Sequence, residues 1–283
     1  MKGPSDPRED ASARPLVSIV INNYNNGPFL SDCLDALLAQ TYTNIELIVV
    51  DALSSDSSRE TIDRYAAGDE RVRRVYCASY EKFPAITYNI GFLNCRGDYI
   101  AINDADDISL PGRIEAQVEY LLNNESVGVV GCNCYEFDGL GSELVETSVE
   151  RNVRAAAPPA RNPCLMFRKD VLARHGLWRW RAEYAADFEL LYRWYAGGVR
   201  FHILPEALVM YRRGHGGSVS VKKLFNQGVK LALFRTIYGV RLFREVGIGW
   251  WYATLKTYAF LTIKYPARVL KEKASKRWVR LNT

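Results

Sequence analysis

Histidine and methionine are scarce in this chain, with three of each. So few imidazoles argue against a zinc centre built from histidines. No CxxC pair occurs. Cys33, Cys77, Cys95, Cys132, Cys134 and Cys164 show no metal-finger spacing and mostly sit in apolar runs, which reads as buried free thiol in a reducing, cytosolic setting. No glycine-rich phosphate loop follows the first apolar run, which argues against an NAD-dependent dehydrogenase and a nucleotidyltransferase alike. Residues 1–14 lack the apolar stretch of a signal peptide and read as a disordered leader. Internal repeats and low-complexity tracts are missing too. The longest aromatic-rich stretch, Val246–Ile263, carries Lys256 near its middle, at a cost of about 2.5–3.5 kcal/mol for a membrane crossing.

What is present is an ordinary globular composition, 48% hydrophobic and 24% charged, enough for a sizeable core. The net charge of +5 hides an asymmetry. From Lys222 onward 14 Lys/Arg face 2 Asp/Glu, giving +12, while the preceding residues hold 23 basic against 30 acidic, or −7. An acidic body with a basic tail places the attraction for anionic partners in the tail alone.

Apolar runs at Leu16–Asn22 and Ile45–Asp51, and further strands at Val72–Tyr76 and Tyr99–Asn103, alternate with helical patterns. Those patterns are Leu30, Leu34, Leu37 and Leu38, then a stretch from Ile62, then Ala85–Asn94. A further helix starts near Pro111 with Ile114, Val118, Leu121 and Leu122 on its buried face. The alternation over the first 125 residues predicts a mostly parallel sheet with helices on both faces. Ligands of such sheets gather at the carboxyl ends of strands, and Tyr24, Asp51 and Asp104 each follow an apolar run. Further on, short strands at 127–132, 165–168, 201–204 and 207–211 accompany a helix lined by Phe188, Leu191, Tyr192 and Tyr195, which ends at Gly197-Gly198.

The densest chemical signal is Asn103-Asp104-Ala105-Asp106-Asp107. Three carboxylates in four residues repel one another and need a cation or strong donors. Hard oxygen ligands favour Mg²⁺ or Mn²⁺ with positions left for phosphate. A solvated acidic turn capping the next helix is the alternative.

Three ordered segments, Val17-Ser18-Ile19-Val20-Ile21-Asn22-Asn23-Tyr24-Asn25, Leu38-Ala39-Gln40-Thr41-Tyr42 and Ile48-Val49-Val50-Asp51, resemble the inverting family-2 glycosyltransferases of the GT-A fold. So do Gly97-Asp98-Tyr99-Ile100, the Asp104–Asp107 turn and Leu110-Pro111. The resemblance covers residues 15–220. It implies a Rossmann-like, nucleotide-diphospho-sugar transferase sheet, mixed and flanked by helices, with a C-terminal helical extension. Residues 15–125 would be the nucleotide-binding half, 126–221 the acceptor-binding half of the same domain, and 222–283 a basic, aromatic-rich helical tail.

The resemblance also implies roles. Asn23, Tyr24, Asp51, Lys82 and Asp104 become candidates for the nucleotide-sugar donor. Tyr24 would stack on the base, Asp51 would bond the base or shape its pocket, Asp104 would lie near the ribose, and Lys82 would reach a phosphate. Asp106 would hold a Mn²⁺ or Mg²⁺ ion and Asp107 would brace the loop. Asp187, at the start of the Phe188–Tyr195 helix, stands where the family has its base, with Glu189 as a fallback. Two departures are visible: Ala52 where a second Asp often follows, and Ala186 where an acidic residue often precedes the base. They leave base selectivity open and admit a degenerate, nucleotide-binding relative. The segment Tyr211–Ser220, with Arg212, Arg213 and His215, resembles the loop that closes over the diphosphate, and His215 is a candidate metal nitrogen. Trp178 and Trp180 would anchor a loop or shape an acceptor site.

In the tail, Trp and Tyr with Lys264, Arg268, Lys271, Lys273, Lys276, Arg277 and Arg280 suit the surface of an anionic membrane. A soluble helical subdomain or self-association is the alternative. Nucleic acid is not an expected partner, because no recognition fold accompanies the charge. The whole reading is a cytoplasmic transferase, peripheral on the inner face of the cell membrane, using a UDP-linked donor and a glycan or lipid-linked acceptor.

Overall fold

The computed structural model describes residues 14–77, 84–138, 140–155, 157–179, 186–213, 231–238, 240, 242, 251–252 and 254–256. Two compact units divide them. The first holds the described residues up to Thr147 together with Ala160–Leu177 and Val199–Arg213. The second holds Ser148–Pro159, Trp178–Gly198 and those beyond Arg213. The sequence-based boundary at 125/126 falls inside the first unit.

In that unit the chain runs β1 (Val17–Asn23), α1 (Gly27–Leu38), β2 (Ile45–Asp51), α2 (Ser58–Gly68), β3 (Val72–Tyr76), α3 (Pro84–Leu93) and β4 (Tyr99–Asp104). It continues through β5 (Ile108–Ser109), α4 (Arg113–Asn123), β6 (Val127–Phe137) and β7 (Ser142–Val145), and later β8 (Met166–Arg168), α6 (Lys169–His175) and β9 (Arg200–Arg212). The intervening α5 (Val149–Arg154) and α7 (Ala186–Ala196) belong to the second unit. The sheet order is β3-β2-β1-β4-β8-β6-β9-β5, with β7 on β6. β1, β2, β3 and β4 pair in parallel, and β8 joins β4 antiparallel. Strands β1 and β2 are apolar on both faces and buried throughout apart from Asn22, as expected where helices cover both sides of a parallel sheet.

The helices follow their apolar spacing. In α1, Leu30, Cys33, Leu34 and Leu37 are buried, with Pro28 in its first turn, where a missing N–H costs nothing. No side chain of its own caps this helix. The Asp56 carboxylate accepts from Gly27 N at 2.8 Å instead, placing a negative charge on the helix N-terminus. A Cβ at Gly27 would stand 2.5 Å from Ser57 Oγ, so the approach of the two loops requires glycine. In α4, Leu121 is buried and Leu122 is exposed, against the expectation for Leu122. One residue further along a helix turns a side chain about 100°.

Two other expectations are corrected. The two short strands at 201–204 and 207–211 are one strand, β9, which pairs parallel with β6 and shifts register around Asn133. Those irregularities admit Pro205 inside a strand, and Asn133 Nδ2 bonds the Pro205 carbonyl at 2.8 Å. Pro111 precedes α4 without entering it, and Gly112 takes the cap position at φ 80°. β5, β7, α5 and α6 are too short to show a periodicity in the sequence.

The carboxyl end of β4 rests on buried polar groups. Arg113, at the start of α4, is fully buried. Its Nη1 donates to Asn103 Oδ1 (2.9 Å) and Ser109 Oγ (2.7 Å), and its Nη2 to the carbonyl of Ile102 (2.9 Å). All six cysteines are free and buried.

The second unit has its own core. Val153, Phe188, Tyr192, Tyr238 and Leu242 pack together, and Tyr192 Oη donates to the Ala157 carbonyl at 2.7 Å. Gly198, at φ 86°, lies just past α7 in the left-handed conformation common after helix ends.

Candidate active site

Register brings five side chains to one edge of the first unit. Asn23 is paired with Asp51, Asn22 with Asp104, and Asp51 with Tyr76. Residues ending adjacent parallel strands must sit side by side at the carboxyl end of the sheet, where α/β sheets bind ligands.

Asp51 is 0% exposed and surrounded by donors. Asn23 Nδ2 (2.9 Å) and Ser54 Oγ donate to Oδ1. Ser54 N (3.1 Å) and Arg59 Nε (3.1 Å) donate to Oδ2. A carboxylate only accepts, so it fixes which way the Asn23 amide faces. The turns on either side hold Asn25 at φ 54° and Leu53 at φ 64°. The left-handed region is routine for Asn and costly for Leu. Cross-bonds hold the arrangement: Asn25 N donates to Ser54 Oγ (2.9 Å) and Ser55 N to Asn25 Oδ1 (2.8 Å). Tyr24 stands at this rim, 44% exposed.

At the end of β4, Asp104 and Asp106 are half-buried and Asp107 is buried. Tyr88 of α3 donates its hydroxyl to Asp104 Oδ1; burial and the Asp104 charge hold that hydroxyl protonated, well above its usual range. Asp107 accepts from Arg212 N at 2.8 Å, while its other carboxylate oxygen has no partner. Burial, then the charges of Asp104 and Asp106, push the Asp107 carboxyl up to about 9. Arg212 also donates from Nε to the Asp106 carbonyl at 3.0 Å, its guanidinium 4.4 Å from the ring centroids of both Phe29 and Phe137. The last residue of β9 is thereby stapled to the acidic turn.

This turn gathers three carboxyl groups within four residues, and among the described residues the buried Asp107 Oδ2 has no hydrogen-bond partner. Oxygen ligands of this kind fit Mg²⁺ or Mn²⁺. Among the described residues no group of three or more His, Cys, Asp or Glu could hold a metal. The chain would therefore offer one or two carboxylates and leave the remaining positions to phosphate and water.

In the second unit Asp187 lies in the first turn of α7. Its Oδ1 accepts from Phe188 N at 2.8 Å, and burial raises its pKa above the usual Asp value. Glu189, two residues on, is fully buried and engaged by Arg193 Nε (2.9 Å), Arg179 Nη1 (3.2 Å) and Tyr238 Oη (3.2 Å). One carboxylate of the pair is locked into an ionic network, and the other has its pKa raised by burial. Trp178 is buried, as a loop anchor and not as an open platform for a sugar.

Residues 18–171 match the profile of the family described as Glycosyl transferase family 2. The chain belongs to that family. EpsE of Bacillus subtilis (strain 168), named as a glycosyltransferase, is 29% identical over 204 residues, spanning 70% of this chain and 73% of EpsE. Among solved structures, Staphylococcus aureus TarS 1-349 in complex with UDP-GlcNAc superposes with a TM-score of 0.65 at 16% identity, covering 87% of this chain and 76% of TarS 1-349. The mannosyltransferase PcManGT of Pyrobaculum calidifontis, in complex with GDP-Man and Mn²⁺, gives a TM-score of 0.61 at 18% identity over 95% of this chain and 76% of its own. The fold is that of these GT-A glycosyltransferases.

Within this family-2 chain the structure brings Asn23, Tyr24, Asp51, Asp104 and Asp106 to the carboxyl ends of β1, β2 and β4. Lys82, Trp180 and His215 lie outside the described residues, together with 1–13, 214–220 and most of the basic tail. Sequence reasoning passed over Tyr88, Arg59, Ser54 and Arg113. A signal existed for Arg113: with Gln117 it forms a polar pair beside the apolar face of α4, and both are buried. Nothing in the local pattern marks Tyr88 or Arg59, whose partners lie 16 and 8 residues away.

Proposed function

We propose that this chain transfers a sugar from a nucleoside-diphosphate donor, UDP-linked, to a hydroxyl of a glycan or lipid-linked acceptor with inversion, in the assembly of cell-surface polysaccharide. One observation carries the reading: Asn23, Asp51 and Asp104 end adjacent parallel strands, with the acidic turn Asp104–Asp107 directly after. The family, and the nucleotide sugars bound by TarS and PcManGT, support it.

Asp106, with His215, would hold a Mn²⁺ or Mg²⁺ ion, which when bound offsets charge growing on the departing diphosphate. Tyr24 would cover the base and Asp104 the ribose. Lys82 would reach a phosphate, and Asp107 braces the turn through Arg212. The acceptor oxygen attacks the anomeric carbon, the bond from that carbon to the diphosphate oxygen breaks, and the acceptor's proton passes to the Asp187 carboxylate. With one base and no second carboxylate as nucleophile, the displacement is single and inverts.

The C-terminal segment supports a peripheral membrane location. Helical residues 231–238 bury Ala232 and Tyr238, yet Leu233, Ile237 and Val240 are exposed on the other side, as are Tyr252 and Leu255. No helix among the described residues is long and apolar enough to cross a membrane. A second copy would bring two segments of +12 together, whereas an anionic bilayer accepts both the apolar face and the charge.

A panel of sugar nucleotides, scored by Mn²⁺-dependent release of nucleoside diphosphate, tests the reaction. Turnover with one donor, lost in Asp106→Asn, is expected. The absence of any binding of sugar nucleotides in calorimetry with Mn²⁺ would overturn it. A degenerate binding protein, suggested by Ala52 and Ala186, would bind a donor without hydrolysing it.

A further inference from the structure

We propose that Arg59 reads the base of the donor nucleotide and that Asp51 positions Arg59 without touching the base. The inference rests on the nucleotide-binding reading above and names the residue that sets its selectivity.

A carboxylate at the end of β2 could accept an N–H from a nucleobase only through a free, reachable oxygen. Asp51 has neither property. Both oxygens already accept two hydrogen bonds each, from Asn23 and Ser54 on one and from Ser54 and Arg59 on the other, and the residue is 0% exposed. The next position, Ala52, has no polar side chain and is buried. The two residues at the end of β2, Asp51 and Ala52, therefore offer no free carboxylate to a base.

It offers a donor instead. Arg59, in the first turn of α2, spends Nε on Asp51 and keeps its side chain 38% exposed. Its guanidinium carbon lies 4.9 Å from the centroid of the Tyr76 ring, and Tyr76 ends β3 opposite Asp51. One edge of the guanidinium is thus tied to a buried anion and one face rests on an aromatic ring. The terminal amino groups remain as donors in a fixed fork. Such a group pairs with carbonyl and ring-nitrogen acceptors of a base, as it does with guanine O6 and N7 in nucleic acids. Uracil, cytosine and guanine each carry a ring carbonyl; adenine carries none. The proposal therefore selects a carbonyl-bearing base over adenine, with Tyr24 at the same rim.

The test is calorimetry on the full chain with Mn²⁺, using UDP, ADP and inorganic pyrophosphate as probes. Arg59→Ala is expected to weaken UDP binding by about 10–100-fold, the range for a hydrogen bond to a charged group. It should also collapse the preference for UDP over ADP and leave pyrophosphate binding unchanged. Tyr76→Leu, which keeps all four donors on Asp51, should shift UDP binding in the same direction by a smaller factor. Wild-type UDP affinity and preference in both variants would overturn the assignment, as would equal loss of UDP and pyrophosphate in Arg59→Ala with no change in Tyr76→Leu. A wild-type chain that binds neither UDP nor pyrophosphate would instead overturn the nucleotide-binding reading itself.

Discussion

Asp187 and Glu189 are two residues apart in one helix and have different fates. Glu189 is paired with two arginines and accepts from a tyrosine, so its carboxylate is already engaged. Asp187 has its pKa raised by burial, which suits a group that must hold a proton in flight. Asp187→Asn should abolish transfer, with turnover reduced at least about 1,000-fold while nucleotide affinity measured by calorimetry stays within about threefold. A base works deprotonated, and a raised pKa delays deprotonation. The acid limb of kcat/KM should therefore lie above the ordinary Asp range near 3.9, with activity falling as pH drops through it. Arg113 acts on stability. Arg113→Leu would remove buried hydrogen bonds to Asn103 Oδ1, Ser109 Oγ and the Ile102 carbonyl. It should cost roughly 3 kcal/mol in urea denaturation. The family resemblance singled out Asp187 by its place at the start of a helix, and the sequence hid how Glu189 differs from it, because Tyr238 reaches Glu189 from 49 residues further on.

At the scale of elements, the parallel strands were legible because burial on both faces leaves long apolar runs. Ile45–Asp51, buried throughout, comes out with the bounds expected; Val72–Tyr76 does as well, although its Arg74 and Tyr76 are exposed. Elements with few residues or a bulge were not legible, β5 and the continuous β9 above all, because their pairing rests on partners about a hundred residues away. The cap of α1 is of the same kind. Asp56, from the loop before α2, supplies the acceptor that Asn26 does not. Asp56→Ala should lower stability by about 1 kcal/mol, the usual cost of a lost cap. A change in the urea midpoint at constant slope would register it; no change would mean that water replaces the carboxylate.

For the molecule as a whole, charge and exposed apolar surface concentrate in the same C-terminal stretch. Burying a Leu or Ile side chain is worth about 1.5–3 kcal/mol, so Leu233→Glu with Ile237→Glu should cut co-sedimentation with vesicles containing anionic lipid at least about tenfold. Neutral vesicles should capture the wild type poorly, and high salt should release it. Undiminished capture of the double variant would assign the exposed face to another partner. The division into two units also reorganises the expected halves: β6, β8 and β9 complete the sheet of the first unit, while α7 with Asp187 packs in the second.

The sequence by itself determined the strand–helix alternation, the family and the acidic turn, because periodicity and short motifs are local properties that need no partner. Tertiary structure decided which carboxylates remain available. Asp51 is saturated by Asn23, Ser54 and Arg59, Asp107 is tied to β9, and Glu189 is held by Arg179, Arg193 and Tyr238. A carboxylate's chemistry depends on the donors and the burial around it, and in this chain many of those donors come from other elements of the fold.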